Sequence, residues 1–249
     1  MNNDIWYNLL HIKHKDFIKL YIEGFWLIMI YITGDTHGNS NLERFLEAKK
    51  LKDIKYLIIT GDFGYVYFNT KEENEILDIL NNLGYKILFV DGNHEGFDVL
   101  NHSYKEIEWN GGKVHQIREN IFHLKRGEIF NIEGKTFFTF GGAKSVDMLE
   151  KMQLGEWFEE EMPSKKEMDY GILNLEKNNY EVDYIISHNC DTDSLLEIIP
   201  FAEVDSLNRF FTFIKNNTTY KCWYFGHLHW NYNIDSKHKC LYTNIVELA

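Results

Sequence analysis

The chain has 249 residues, 44% of them hydrophobic, enough for one large packed domain or at most two small ones. Its formal net charge of -12 argues against a general nucleic-acid coat, because phosphate backbones are held through Lys and Arg; a bound metal would still make a local cationic site. Cys190, Cys222 and Cys240 form no CxxC spacing, which argues against a disulfide framework or zinc knuckle and for three ordinary thiols in a reducing cytoplasm.

In chain order, residues 1–28 carry a helical rhythm at Ile5, Leu9, Ile12 and Leu20, the pattern of a short docking helix. Met29 stands where a complete domain pattern begins, so 1–28 is read as an N-terminal extension dispensable for catalysis and 29–249 as the domain. The longest apolar run, Phe25 to Ile32, is too short to span a bilayer and lacks a basic flank or small-residue cleavage site, so it is read as a buried strand rather than a membrane segment. Strand-length runs follow at "KYLIIT" (55–60), "KILFV" (86–90), "DYIIS" (183–187) and "KCWYF" (221–225), hydrophobic throughout as strands covered on both faces are. Helices are expected in "SNLERFLEAKK", where Ser40 and Glu43 have capping-box spacing, in "EENEILDILNNLG" ending at Gly84, and in "LNRFFTFIKNN". The middle, "NIFHLKRGEIFNIEGKTFFTFGG", reads as short strands with a hairpin turn at Glu133 and Gly134, and "WNYNIDSKHKCLYTNIVEL" as another strand pair. The whole suggests a mixed sheet, or two packed sheets, with helices outside.

Each apolar run is followed at once by Asp, Asn, His and Gly: "GDTHGN", "GDFG", "DGNHE", "HNCD" and "GHLHW". Ligands of open α/β sheets bind at the carboxyl ends of strands, so these groups can converge. In an extended segment residues i and i+2 face one side, which would pair Asp35 with His37 and His227 with His229. Glycines at 34, 38, 61, 92 and 226 would let backbone come close to an ion or phosphate. Carboxylate and imidazole together suit Mn, Fe, Zn or Ni better than Ca or Mg. Singly, each group reads as a turn or a satisfied structural pair; five groups at five strand ends weaken that reading.

The ordered set "GDTHG", "GD", "GNHE", "H", "GHLH" resembles the calcineurin-like metallophosphoesterase superfamily from Ile30 to about Ile245. The resemblance implies an α/β fold, a four-layer αββα sandwich of two mixed β-sheets flanked by helices, with a dinuclear centre at one edge. Asp35, His37 and His229 would hold one divalent ion and Asn93, His188 and His227 the other, with Asp62 bridging. Manganese is the first expectation, with iron, zinc or nickel as alternatives. A hydroxide between the two ions would attack phosphorus in line. His94 would assist leaving-group departure, so the catalytic residues are Asp62 and His94; alternatively His94 only orients Asp62.

Departures from the pattern narrow the expectation. "GDFGYVYFN" lacks the aspartate and arginine of GDxxDRG, so the arginine fork that clamps a phosphate dianion in protein phosphatases is missing. "GHLH" is more similar to phosphodiesterase-type members. Residues 141–164 resemble the "GGAxSxD" and Trp-acidic segment of small bacterial and phage-type members; there Gly141 and Gly142 would approach the site, Lys144 would meet a phosphate, and Trp157 or Phe158 would stack on a base or simply pack. Tyr65, Tyr67 and Phe68 form a second aromatic wall or part of the core. The expected function is a phosphodiesterase acting on a nucleotide-like or other small phosphodiester. The alternatives are a phosphomonoesterase, a nuclease on short nucleic acid, and a catalytically silent binding scaffold; long nucleic acid and membranes are not expected partners.

Overall fold

The structure, a computed structural model, describes residues 29–248; the expected N-terminal docking helix lies outside the described residues. In chain order the strands are β1 (Met29–Thr33), β2 (Ile54–Ile59), β3 (Lys86–Phe89), β4 (Lys105–Trp109), β5 (Gly112–Arg118), β6 (Ile121–Leu124), β7 (Ile129–Ile132), β8 (Lys135–Phe140), β9 (Tyr184–Ser187), β10 (Cys222–Phe225), β11 (Tyr232–Asn233), β12 (His238–Cys240) and β13 (Ile245–Glu247). The helices are α1 (Leu42–Ala48), α2 (Lys71–Asn81), α3 (Phe97–His102), α4 (Met148–Leu154), α5 (Lys165–Lys177), α6 (Thr192–Ile198) and α7 (Ser206–Asn217).

Two sheets result, one in the order β13-β1-β2-β3-β6-β5-β4 and the other β11-β12-β10-β9-β8-β7. The expected sandwich of two mixed sheets follows: β1, β2, β3 and β6 run parallel, as do β8, β9, β10 and β12, with antiparallel strands at the margins.

Alternation along each strand explains why the runs are apolar throughout. Ile30, Ile32, Ile58 and Leu88 face Phe137, Tyr184, Ile186 and Tyr224 in the layer between the sheets. Their neighbours Tyr31, Leu57, Ile59, Ile87 and Phe89 face outward onto Phe45 of α1 and Leu77 and Leu80 of α2. On the second sheet Phe138, Phe140, Ile185 and Trp223 pack on Leu175 of α5 and Phe211 and Ile214 of α7. Both faces of both sheets are therefore covered, and the polar chemistry is left to the strand ends.

The β7–β8 hairpin turns at Glu133 and Gly134, both left-handed (φ 53 and 74), as the two-residue turn demands. Three expectations shift. Helix α1 begins at Leu42 with Asn41 in the cap position, one residue past the expected Ser40, and Asn41 Nδ2 donates to the Thr36 carbonyl at 2.8 Å, tying the helix to the loop after β1. Helix α2 stops at Asn81, with Gly84 (φ 94) two residues beyond its cap at Asn82. The C-terminal segment does form a pair, β11–β12, but β13 leaves it to pair with β1 in the other sheet.

Candidate metal centre

The parallel strands β1, β2 and β3 carry their polar groups off one edge, and β9 and β10 of the facing sheet end beside them. Hydrogen bonds stitch the loops together: the Thr36 and His37 amides both donate to the Asp62 carbonyl at 2.9 Å, and the buried Glu95 carboxylate accepts from the amides of Phe63 (2.7 Å) and Gly64 (3.3 Å). Backbone crowding is severe. A Cβ on Gly92 would lie 2.0 Å from Asp62 Oδ1, and one on Gly226 2.1 Å from Asp35 Oδ1, so at these two positions only glycine leaves the carboxylates in place.

All seven expected ligands converge, in two groups around Asp62. Asp35 Oδ2 lies 3.2 Å from His229 Nε2 and 3.8 Å from His37 Nε2, and the two imidazole nitrogens are 2.9 Å apart. With Asp62 these residues offer four ligand atoms within 4.8 Å of one another. On the other side His188 Nε2 is 3.2 Å from Asn93 Oδ1, and the His227 ring centroid is 5.0 Å from that of His188. Asp62 is divided between them: Oδ1 accepts the His94 amide at 2.8 Å, while Oδ2 faces His37 Nε2 at 3.8 Å and His188 Nε2 at 3.5 Å.

The pairs converge for a reason other than the extended geometry expected. β1 stops at Thr33 and β10 at Phe225, and His37, Asp62, His227 and His229 are left-handed, with φ of 47, 49, 66 and 55. Such conformations are costly for side chains with a Cβ and concentrate at functional sites. They send His227 toward His188 and His229 toward Asp35, splitting a pair that a strand would have pointed one way.

The donor set is that of a cation site. His188 Nδ1 is 2.8 Å from the Thr60 carbonyl, which only a proton on that nitrogen satisfies, so Nε2 is left to face two oxygens that are themselves acceptors. Without a metal a proton must fill that gap. Burial opposes charge on His188, yet the Asp62 carboxylate, with Asp35 behind it, lifts its pKa to about 9. Burial would likewise raise Asp62, but His188, then His94 and His37, hold it well below the carboxylate range. Burial and the charge on His188 push His227 down to about 4; burial lowers His37; the bond to Asp35 raises His229. Oxygen and imidazole donors whose lone pairs converge on one another fit divalent ions such as Mn, Fe, Zn or Ni.

A cleft of about 430 Å³ opens over the centre, lined by His37 and His94, by Tyr67 and Phe68, and by Glu73, Asp147, Glu150 and Glu156. The His94 ring stands beside His37, centroids 5.1 Å apart, while it is the His94 backbone that orients Asp62. Tyr65 is core. Lys144 pairs with Glu203 at 3.1 Å, Phe158 packs on Tyr67 and Phe97, and Gly141 packs on Asp91 rather than approaching the site. Trp157 is half-buried and does not line the cleft.

Other buried residues do the holding. Arg44 donates to the carbonyls of Asp35 (2.7 Å) and Tyr242 (2.8 Å); a charge amid the apolar stripe of α1 was its signal. Asp91 accepts from Arg126 Nε (2.8 Å) and His123 Nε2 (3.0 Å), anchoring the loop that carries Asn93. Ser145, Lys151 and Glu161 surround Asn93; Ser145 is the serine of the GGAxSxD segment and Glu161 lies in the acidic run after Trp157, but nothing in the sequence ties either to Asn93, and Lys151 carries no signal of its own.

Residues 28–231 match the family model for calcineurin-like phosphoesterases. Among solved structures, the phosphopantetheinyl hydrolase of Mycobacterium tuberculosis is similar at 14% identity, over 86% of this chain and 89% of that chain, with a TM-score of 0.41. No curated protein matches. The chain therefore belongs to the calcineurin-like phosphoesterase family and is a metal-dependent phosphoester hydrolase, of a family that generally binds two divalent ions.

Proposed function

We propose that Asp35, His37 and His229 hold one divalent ion, Asn93, His188 and His227 a second, and Asp62 both, and that this centre hydrolyses a small phosphodiester. The observation that carries the two-ion reading is the Asp62 carboxylate: one oxygen is tied down by an amide, and the other faces imidazoles of both groups. Ions bound there would supply Lewis acidity toward phosphate oxygens and lower the pKa of water. The protein's part is to hold the donors rigid, keep a net positive charge of centre plus ions in an otherwise acidic molecule, and present the His94 ring to the departing oxygen. Manganese is the first ion to supply; iron, zinc and nickel share the donor preference.

Charge in the cleft supports a diester over a monoester. Among its described lining residues Lys151 is the one cation, and it is buried against Glu161 at 2.9 Å, so no guanidinium or free ammonium awaits a phosphate dianion. The carboxylates of Glu73, Asp147, Glu150 and Glu156 repel further negative charge, which weighs against nucleic acid of any length. Three buried, unbridged thiols support a reducing, cytoplasmic setting.

The test is hydrolysis of a bis-aryl phosphodiester and an aryl phosphomonoester by metal-stripped protein with Mn restored. Metal-dependent cleavage favouring the diester is expected. Faster cleavage of the monoester would overturn the diester reading, and no cleavage of either with two ions bound would point to a binding role.

A further inference from the structure

We propose that Ser145, Lys151 and Glu161 form a buried positioning group that sets which atom of the Asn93 amide faces the second metal position; this rests on the reading of Asn93 as a ligand. An asparagine amide has nearly the same shape either way round, so hydrogen bonding alone decides whether its oxygen or its NH₂ points at a metal. The surroundings of Asn93 leave one choice. Asn93 Nδ2 donates to Ser145 Oγ at 3.1 Å, and Oδ1 is turned to His188 Nε2 at 3.2 Å.

Ser145 can only accept from Asn93, because its single proton is committed to Glu161 Oε2 at 2.5 Å. Its oxygen also accepts from Lys151 Nζ at 2.9 Å. A hydroxyl with one donor and two acceptor sites is then saturated. Lys151 is saturated too: its three protons go to Ser145, to Glu161 Oε1 at 2.9 Å and to the Asn93 carbonyl at 2.6 Å. A reversed Asn93 would set its oxygen against Ser145 Oγ with no hydrogen between them, and its NH₂ against the second metal position. The ion pair of Lys151 and Glu161 lies within the protein, the two side chains 5% and 1% exposed, so water does not offer an alternative partner. The Ser145 hydroxyl follows β8, Lys151 sits on α4 and Glu161 on the short turn of Glu159–Glu161, so this otherwise irregular segment is folded around one ligand.

The test is Mn titration of the full chain followed by calorimetry and electron paramagnetic resonance, which resolve two binding steps and the coupled ion pair. Ser145→Ala is expected to weaken one step by about 10- to 100-fold and to leave the other in place. Ser145→Thr, which keeps the hydroxyl, is expected to restore it. In an Asn93→Asp background both terminal atoms are oxygens and orientation no longer matters, so Ser145→Ala is expected to cause little further loss there. Equal losses in both backgrounds would make Ser145 a packing residue and overturn the proposal. Two normal steps in Ser145→Ala, with one lost in Asn93→Ala, would overturn it while leaving the ligand reading intact; two normal steps in Asn93→Ala would remove the ligand reading and the proposal together.

Discussion

The two groups of donors proposed to hold one ion each differ in depth. His188 is wholly buried and its Nδ1 is spoken for by the Thr60 carbonyl, while Asn93 is held by Ser145. On the other side the His37 and His229 side chains are 22% and 49% exposed, and the ring of His229 stacks on Tyr242, centroids 4.6 Å apart, while its Nε2 meets only the other members of its own group, Asp35 and His37. In one group His188 and Asn93 are buried and held by the protein, with the left-handed, half-buried His227 beside them; in the other the buried Asp35 is flanked by two left-handed, partly exposed loop histidines, His37 and His229. The deep half should hold its ion firmly, and the open half should exchange its ion and meet the substrate.

Asp62 is the element common to both halves, so replacing it should abolish the difference. Asp62→Asn is expected to lower turnover by roughly 10⁴-fold, the scale seen when a group acting as part of a unit is lost, and to lower occupancy on both sides. Metal analysis beside kinetics checks this; normal turnover with two ions bound would remove Asp62 from its shared position. His94→Ala removes a ring of the cleft that stands beside His37 but is not one of the donors, and leaves the His94 amide to Asp62 in place. It should slow turnover by about 10²- to 10⁴-fold while both ions stay, and loss of metal would show that the ring, rather than the backbone amide, supports Asp62.

The sharpest contrast is between His188→Ala and His229→Ala in metal-free protein. Removing His188 leaves the Asp62 carboxylate buried without its main partner and should cost about 3 kcal/mol of stability, with a clear fall in melting temperature. Removing the half-exposed His229 should leave melting almost unmoved and weaken one metal step by about 10- to 100-fold. Equal melting temperatures would mean the halves are not built differently.

The parts of this centre that could be read in the sequence are those whose chemistry is contiguous. Asp35 with His37, Asn93 with His94, and His227 with His229 stand in short groups directly after apolar runs, and the runs themselves mark strands covered on both sides. What could not be read is what the chain does between those groups. The left-handed turns at His37, Asp62, His227 and His229 follow from the crowding of five loops, which no local pattern encodes, so the extended i, i+2 argument found the right residues for the wrong geometry. The 141–164 segment shows a similar limit: its motif marks Ser145 and its acidic run Glu161, but not that they close on Asn93, and of its first two lysines Lys144 faces Glu203 while Lys151, between Glu150 and Met152 on α4, is the one turned inward. β13 shows the same limit, since its departure to the first sheet depends on an unpaired edge at β1 rather than on its own three residues.

The smallest effect tests whether the support beneath the deep half is itself neutral. Asp91 anchors the loop bearing Asn93 and is met by His123, whose Nδ1 in turn lies 3.1 Å from His115 Nδ1. Burial first, and the neighbouring His123 second, push the pKa of His115 down to about 3. In the unfolded chain this histidine titrates near 6.5. The unfolded state therefore binds a proton that the folded state refuses, and stability is lost as pH falls from about 6.5 toward 3, by about 1.36 kcal/mol per unit for this group. His115→Gln keeps a hydrogen-bonding group that does not titrate in this range. Urea unfolding at pH 4.5 and pH 7 should show a smaller acid loss in the variant than in the parent protein. An unchanged acid loss would place the sensitivity elsewhere.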